Sequence, residues 1–172
     1  WYTDSGLVGI DNRCTGCIRH EIDDFIGPLK DSGKVIKGFG GSRTTKIKTG
    51  TLQWQWEDDS GQVHTHIIPN SFYVPQGKTQ LLSGQHWARS QKDNKPNRKG
   101  TGSETTQDSV RLFWQQRKYN KTVHLDLVIN IATFHLAPGF NKFQASCTEI
   151  KAEDKQDDLV PLAIPNIISN KE

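Results

Sequence analysis

Asp-Ser-Gly occurs three times in this sequence, at residues 4–6, 31–33 and 59–61, and a further aspartate, Asp11, closes the apolar run Leu7, Val8, Gly9, Ile10. Two carboxylates brought within hydrogen-bonding range can share one proton and activate a water against a peptide carbonyl. That chemistry needs each carboxylate at the end of a buried strand, where the backbone holds it still. Asp31 and Asp59 lie among Asp, Ser and Gly residues that form turns for ordinary backbone reasons. Asp4 has only Trp1, Tyr2 and Thr3 ahead of it, whereas Asp11 has a four-residue apolar strand, so Asp11 is preferred to Asp4.

Other constellations are weaker. Cys14 and Cys17 are spaced as Cys-x-x-Cys with His20 three residues on, but a structural zinc needs four ligands, and the third cysteine, Cys147, is remote. Without that set the cysteines read as small buried residues of the Asp11 loop, and no metal or cofactor is expected. Trp54 and Trp56 share a strand face close to Arg43, Lys46 and Lys48, a composition a single-strand stacking platform could use, although paired aromatics more often pack a core or a dimer. His64 and His66, also on one face, are expected on a solvated strand. Asn120-Lys121-Thr122 matches a glycosylation sequon that has meaning only in a secreted chain.

The elements that must position these residues are short strands. Residues 7–10 form one. Residues 34–39 form another and run into Gly40, Gly41 and Ser42, a hairpin tip. Residues 51–57 and 63–67 alternate apolar and polar residues about the turn formers 58–61, the pattern of a hairpin. Residues 72–74 make a further strand closed by Pro75, and residues 81–83 an apolar step before a helix start at Gly84. Residues 89–109 are polar and read as a flexible insertion, because they bury too little surface to offset the entropy of ordering. Residues 110–147 bring more strands, with Val123, Leu125, Leu127, Ile129 and Ile131 alternating, and 148–172 read as a tail or linker.

From residue 10 to 87 the chain resembles the retropepsin-like protease region of copia-type retrotransposon polyproteins. The residues carrying the likeness are Asp11 with Thr15, Ile18 and Phe25 at matching offsets, Ile36-Lys37-Gly38-Phe39-Gly40-Gly41, Gly50-Thr51-Leu52, Ile68 to Pro75 with its Tyr-Val-Pro, and Leu81-Leu82-Ser83 before Gln85-His86-Trp87-Ala88. The resemblance implies an all-β fold, a closed retropepsin-like barrel over residues 1–88 with one short helix and a C-terminal β extension. It implies one catalytic aspartate per chain, Asp11, and a second copy of the chain to complete the pair. Asn12 and Thr15 would support the catalytic loop, Gly38, Phe39, Gly40 and Gly41 would form a flap over a polyprotein peptide substrate, and Leu81, Leu82 and Ser83 would pack beneath the loop. Where the family carries Ser or Thr and then Gly after the aspartate, this chain has Asn12 and Arg13. A cation beside a carboxylate favours its ionised form and opposes a shared proton, so a catalytically decayed spacer domain is the alternative within the family. Outside it stands a zinc-stabilised or nucleic-acid-binding β-module using Cys14, Cys17 and His20.

Composition narrows the rest. With 172 residues the chain is long enough for one domain and extensions, and 33% hydrophobic residues leave part of it as solvated loop. A net charge of +3 is too balanced to indicate a nucleic-acid surface, so direct nucleic-acid binding is not expected. No apolar run reaches the roughly 18 residues a membrane helix needs. An odd number of cysteines argues against a disulfide scaffold, and the lack of any methionine fits a segment cut from a polyprotein. The expected location is intracellular, cytoplasmic or within a virus-like particle.

Overall fold

The hairpin written around residues 58–61 organises the fold. A computed structural model describes residues 6–37, 43–44, 46–78 and 80–137. Its strands, in chain order, are β1 (Leu7–Ile10), β2 (Ile18–Arg19), β3 (Phe25–Asp31), β4 (Ile36–Lys37), β5 (Arg43–Thr44), β6 (Lys48–Glu57), β7 (Val63–Tyr73), β8 (Leu81–Leu82), β9 (Gly102–Thr105), β10 (Ser109–Trp114), β11 (Tyr119–Asp126) and β12 (Ile131–His135). One helix, α1 (Gly84–Gln91), follows β8, and a 3-10 turn spans Ile22–Asp24. The fold is all-β.

β6 and β7 pair antiparallel, with Trp54 opposite His66 and Trp56 opposite His64. Period two sends Leu52, Trp54 and Trp56 to one face, and all three are buried. With Trp87 of α1, Val110, Leu112 and Trp114 of β10, and Phe134 of β12 they form the core. A fully buried indole removes on the order of 200 Å² from water, a gain of roughly 4 kcal/mol before entropy is charged against it. β7 does not stop before residue 72 as the sequence pattern suggested. It runs through Pro69, because a bulge sets Thr51 against Pro69 and Asn70, whose φ is 58°. A bulge is where a strand tolerates a proline that cannot donate to the ladder.

The strands pair in the order β3-β6-β7-β2-β8-β1-β12-β11-β10-β9, and β4 pairs with β5 in a separate ribbon. This order is linear, without a ladder joining β3 to β9 among the described residues, so strand pairing does not give the closed barrel that was expected. Nor do residues 110–137 stand as an extension: β12 pairs directly with β1, placing Val8 against Phe134. All described residues belong to one compact unit, Trp1–Pro138.

Residues 89–109, expected to be a flexible insertion, carry the end of α1 and all of β9. Their polar side chains hold the backbone instead of solvating it: Gly100 N–H donates to Asn94 Oδ1 at 2.9 Å and Thr101 Oγ1 donates to Asp93 Oδ2 at 2.8 Å. A side chain at Gly100 would collide with the Asp93 carboxylate. The hairpin arm at 34–44 is present as the β4-β5 ribbon, while the flap tip Gly38, Phe39, Gly40 and Gly41 lies outside the described residues, as do Asp4, Cys147 and the 148–172 tail. No described helix is long and apolar enough to cross a membrane.

Candidate active site

Asp11 follows the last residue of β1, and β1 runs parallel to β8 with Gly9 beside Leu81 and Ile10 beside Leu82. Its backbone N–H donates to Leu82 C=O at 3.1 Å, extending the ladder by one bond into the loop. The residue is half-buried, and its carboxylate accepts the Arg13 backbone N–H on Oδ1 at 2.8 Å in an exposed bond. Oδ2 takes no hydrogen bond among the described residues. Arg13 therefore approaches Asp11 through its peptide group, and its exposed guanidinium forms no ion pair with Asp11 among those residues.

The loop closes on itself through Cys14. Its N–H donates to Asp11 C=O at 3.3 Å and its thiol to Gly16 C=O at 2.8 Å. Burial pushes the Cys14 thiol up, the Gly16 bond pulls it back in part, and the Asp11 charge adds to the rise. Gly16 lies against Phe72 so closely that a Cβ would come within 2.6 Å of the ring, so any side chain here would force the ring or the loop to shift. Asn12 and Thr15, the expected loop supports, are both exposed. Asn12 sits beside the start of α1, its Oδ1 3.3 Å from where a Cβ on Gly84 would stand.

Leu81 lies beside Gly9 and Leu82 C=O accepts the Asp11 N–H, and Leu82 and Ser83 are fully buried. Ser83 caps α1 with its side chain, accepting His86 N–H at 3.4 Å. Cys17, at the far end of the loop, is fully buried and directs its thiol toward Ser83 C=O at 3.9 Å. Burial pushes this thiol up to about 12, so it stays protonated at neutral pH. Cys17 N–H donates to His86 Nδ1 at 3.1 Å and Cys17 C=O accepts Phe72 N–H at 2.8 Å. Both ends of the Asp11 loop are thus fastened to residues 82–86. His86 was not singled out by sequence reasoning; its spacing of three residues from an N-cap serine was the available signal.

The remaining constellations have structural explanations. Trp54 and Trp56, 1% and 0% exposed, cannot offer a face to a nucleic acid base. His64 and His66 are not on a solvated face, because register sets them opposite the two tryptophans. His66 stacks on Trp56 with ring centroids 3.6 Å apart, and burial, reinforced by neighbouring His64, pulls its pKa down to about 3. His64 Nε2 lies 2.8 Å from Asp58 Oδ2, while Asp58 Oδ1 accepts the Ser60 N–H, the Ser60 hydroxyl and the Gln62 N–H. The Ser60 hydroxyl, His64 and those peptide groups hold the Asp58 carboxyl far below the usual carboxylate range. Asp59 is a turn residue as expected, whereas Asp31 is the last residue of β3, paired with Lys48, and its Oδ1 accepts Gly33 N–H at 3.3 Å from the loop that follows; Gly33 and Gly61 have φ of 60° and 85°. Asn120 Nδ2 of the sequon donates to Asp59 Oδ2 at 2.6 Å. The thiols of Cys14 and Cys17 turn to different carbonyls, and no three His, Cys, Asp or Glu side chains gather around a common point among the described residues. A cavity of about 390 Å³ lies beside His64, His66 and Trp114, lined by none of the Asp11-loop residues.

No family model, curated protein or solved structure matches this chain.

Proposed function

We propose that this chain is a retropepsin-like aspartic endopeptidase unit of a copia-type retrotransposon polyprotein, working as a homodimer with one Asp11 from each copy. The observation that carries the reading is the placement of Asp11: a half-buried residue just past a strand, its peptide N–H bound to Leu82 and one carboxylate oxygen free among the described residues. Across a two-fold axis, two such carboxylates would share one proton, the ionised one taking a proton from the water that attacks the peptide carbonyl and the protonated one donating toward the carbonyl oxygen. Arg13 N–H on Oδ1 leaves Oδ2 to face the twin and the water. Leu81, Leu82 and Ser83 support the loop from below, Asn12 and Thr15 line its outer side, and residues 38–41 would cover the peptide. A substrate cleft built between two copies also accounts for the cavity of the single chain lying elsewhere. Processing of the polyprotein would take place in the cytoplasm or within a virus-like particle.

A second reading, a decayed spacer domain, draws on Asn12 and Arg13 standing where the family has a hydroxyl residue and glycine. One experiment separates the two. Incubated with peptides spanning polyprotein junctions at pH 4 to 7, the protein should cleave, and pepstatin should block cleavage. A folded protein that turns over no peptide across that range supports the spacer.

A further inference from the structure

Resting on the Asp11 reading, we propose that His86 is a positioning residue for the reaction: its imidazole, accepting at Nδ1 and donating at Nε2, fixes the exit of the Asp11 loop against the bulge of β7. Cys17 N–H occupies Nδ1. Pro69 has no N–H, and its backbone carbonyl raises the ring's pKa, so a proton on the other ring nitrogen is favoured by that carbonyl. One tautomer satisfies both partners: neutral, with the proton on Nε2. Burial and the charge of Arg89, one turn further along α1, lower the His86 pKa against the opposing influence of the Pro69 carbonyl, which favours that neutral form.

The tie reaches Asp11 through the loop's own bonds. Cys17 is followed by β2, whose Ile18 pairs with Phe72 of β7 and Leu81 of β8, so the downstream side is fixed. On the upstream side Gly16 is pressed on the Phe72 ring, Cys14 bonds Gly16 with its thiol, and the Cys14 N–H bonds Asp11 C=O. A Cys17 peptide that loses its acceptor leaves a buried N–H unpaired, and relief requires the loop to shift. Asp11 is then displaced although its own contact to Leu82 is intact. A displacement of about an ångström at a reacting group lowers turnover more than substrate binding.

Two amide variants divide the roles of the ring. His86→Asn places a carbonyl oxygen near the position of Nδ1 and can still accept from Cys17, whereas His86→Gln extends its amide toward Pro69 and leaves Cys17 N–H without an acceptor. Measured together are hydrogen exchange at the Cys14 and Cys17 amides, with Leu52 and Trp54 as reporters of the intact core, and kcat and KM on a cleaved peptide. Expected for His86→Gln is exchange at Cys14 and Cys17 faster by roughly three- to tenfold, core exchange unchanged, and kcat lower by a similar factor with KM unchanged. His86→Asn should stay within about twofold of the unsubstituted protein in each. Exchange and kcat unchanged in His86→Gln, or an equal loss in both variants, would overturn the proposal. If the unsubstituted protein cleaves nothing, the endopeptidase reading fails while the exchange comparison still decides the tie. Should a variant not fold, the ring nitrogen spectrum of the unsubstituted protein decides: a proton on Nε2 with Nδ1 accepting supports the tie, and the opposite tautomer overturns it.

Discussion

Two aspartates of this chain, Asp11 and Asp58, each follow a strand and begin a tight loop, yet their surroundings differ in a way that separates chemistry from architecture. Asp58 has both oxygens occupied: Ser60 and Gln62 fill Oδ1 and His64 holds Oδ2, beside the aromatic core. Its carboxyl is accordingly held far below its usual range, buried with each oxygen already bonded within the chain. Asp11 is fastened mainly through its peptide groups, to Leu82 and Cys14, with one carboxylate oxygen bonded to Arg13 N–H and the other open among the described residues. A buried carboxylate bonded at both oxygens by its own chain closes a turn. One that is held by its backbone and keeps an open oxygen can take part in a reaction.

If the Asp58 region is architecture, disturbing it should cost stability and leave the Asp11 loop chemically competent. Trp56→Ala removes an indole that touches His66, Trp87, Trp114 and Phe134 and should lower unfolding free energy by about 3–5 kcal/mol in urea titration, the largest change expected. Asp58→Ala should lower Tm by about 5 °C or more in a thermal scan, since it strands the donors of Ser60 and Gln62 and frees His64. The sign of the pH effect follows from His66, whose folded pKa of about 3 lies below its unfolded value of 6.5. The unfolded chain binds the proton more readily, so the contribution of neutral His66 is complete above pH 6.5 and is lost as pH falls toward 3. Stability should decline by up to about 1.4 kcal/mol per pH unit in that window, and His66→Phe should flatten this limb in urea midpoints measured from pH 7 to 4. Smallest is Thr15→Ala: an exposed side chain in the candidate loop should change unfolding free energy by less than about 0.5 kcal/mol. A larger loss would mean that Thr15 holds the loop and that the division between the regions is less clean.

Much of this contrast was legible in the sequence, for identifiable reasons. Turn formers at 58–61 between alternating runs fixed a hairpin, and the hairpin put Trp54 and Trp56 on one face. The same register sets His66 across from Trp54, so the burial of both histidines follows once the tryptophan face is assigned to the core; polarity alone had pointed the other way. The polar stretch 89–109 was misread because composition measures what side chains can bury, whereas Asp93 and Asn94 act by bonding the backbone at Gly100 and Thr101. Residues 81–83 were placed beneath the Asp11 loop by resemblance. The tie between His86 and the Asp11 loop was hidden because Cys17 meets the ring only through its backbone N–H, which leaves no trace in residue type.

The most direct measurement compares Asp11→Asn with Asp58→Asn in one peptide-cleavage assay, each rate divided by the folded fraction from circular dichroism. Asp11→Asn should keep a Tm close to that of the unsubstituted protein and lose cleavage by about a thousandfold or more. Asp58→Asn should melt earlier and cleave normally per folded molecule. Cleavage surviving in Asp11→Asn, or lost in folded Asp58→Asn, would contradict the assignment of chemistry to Asp11.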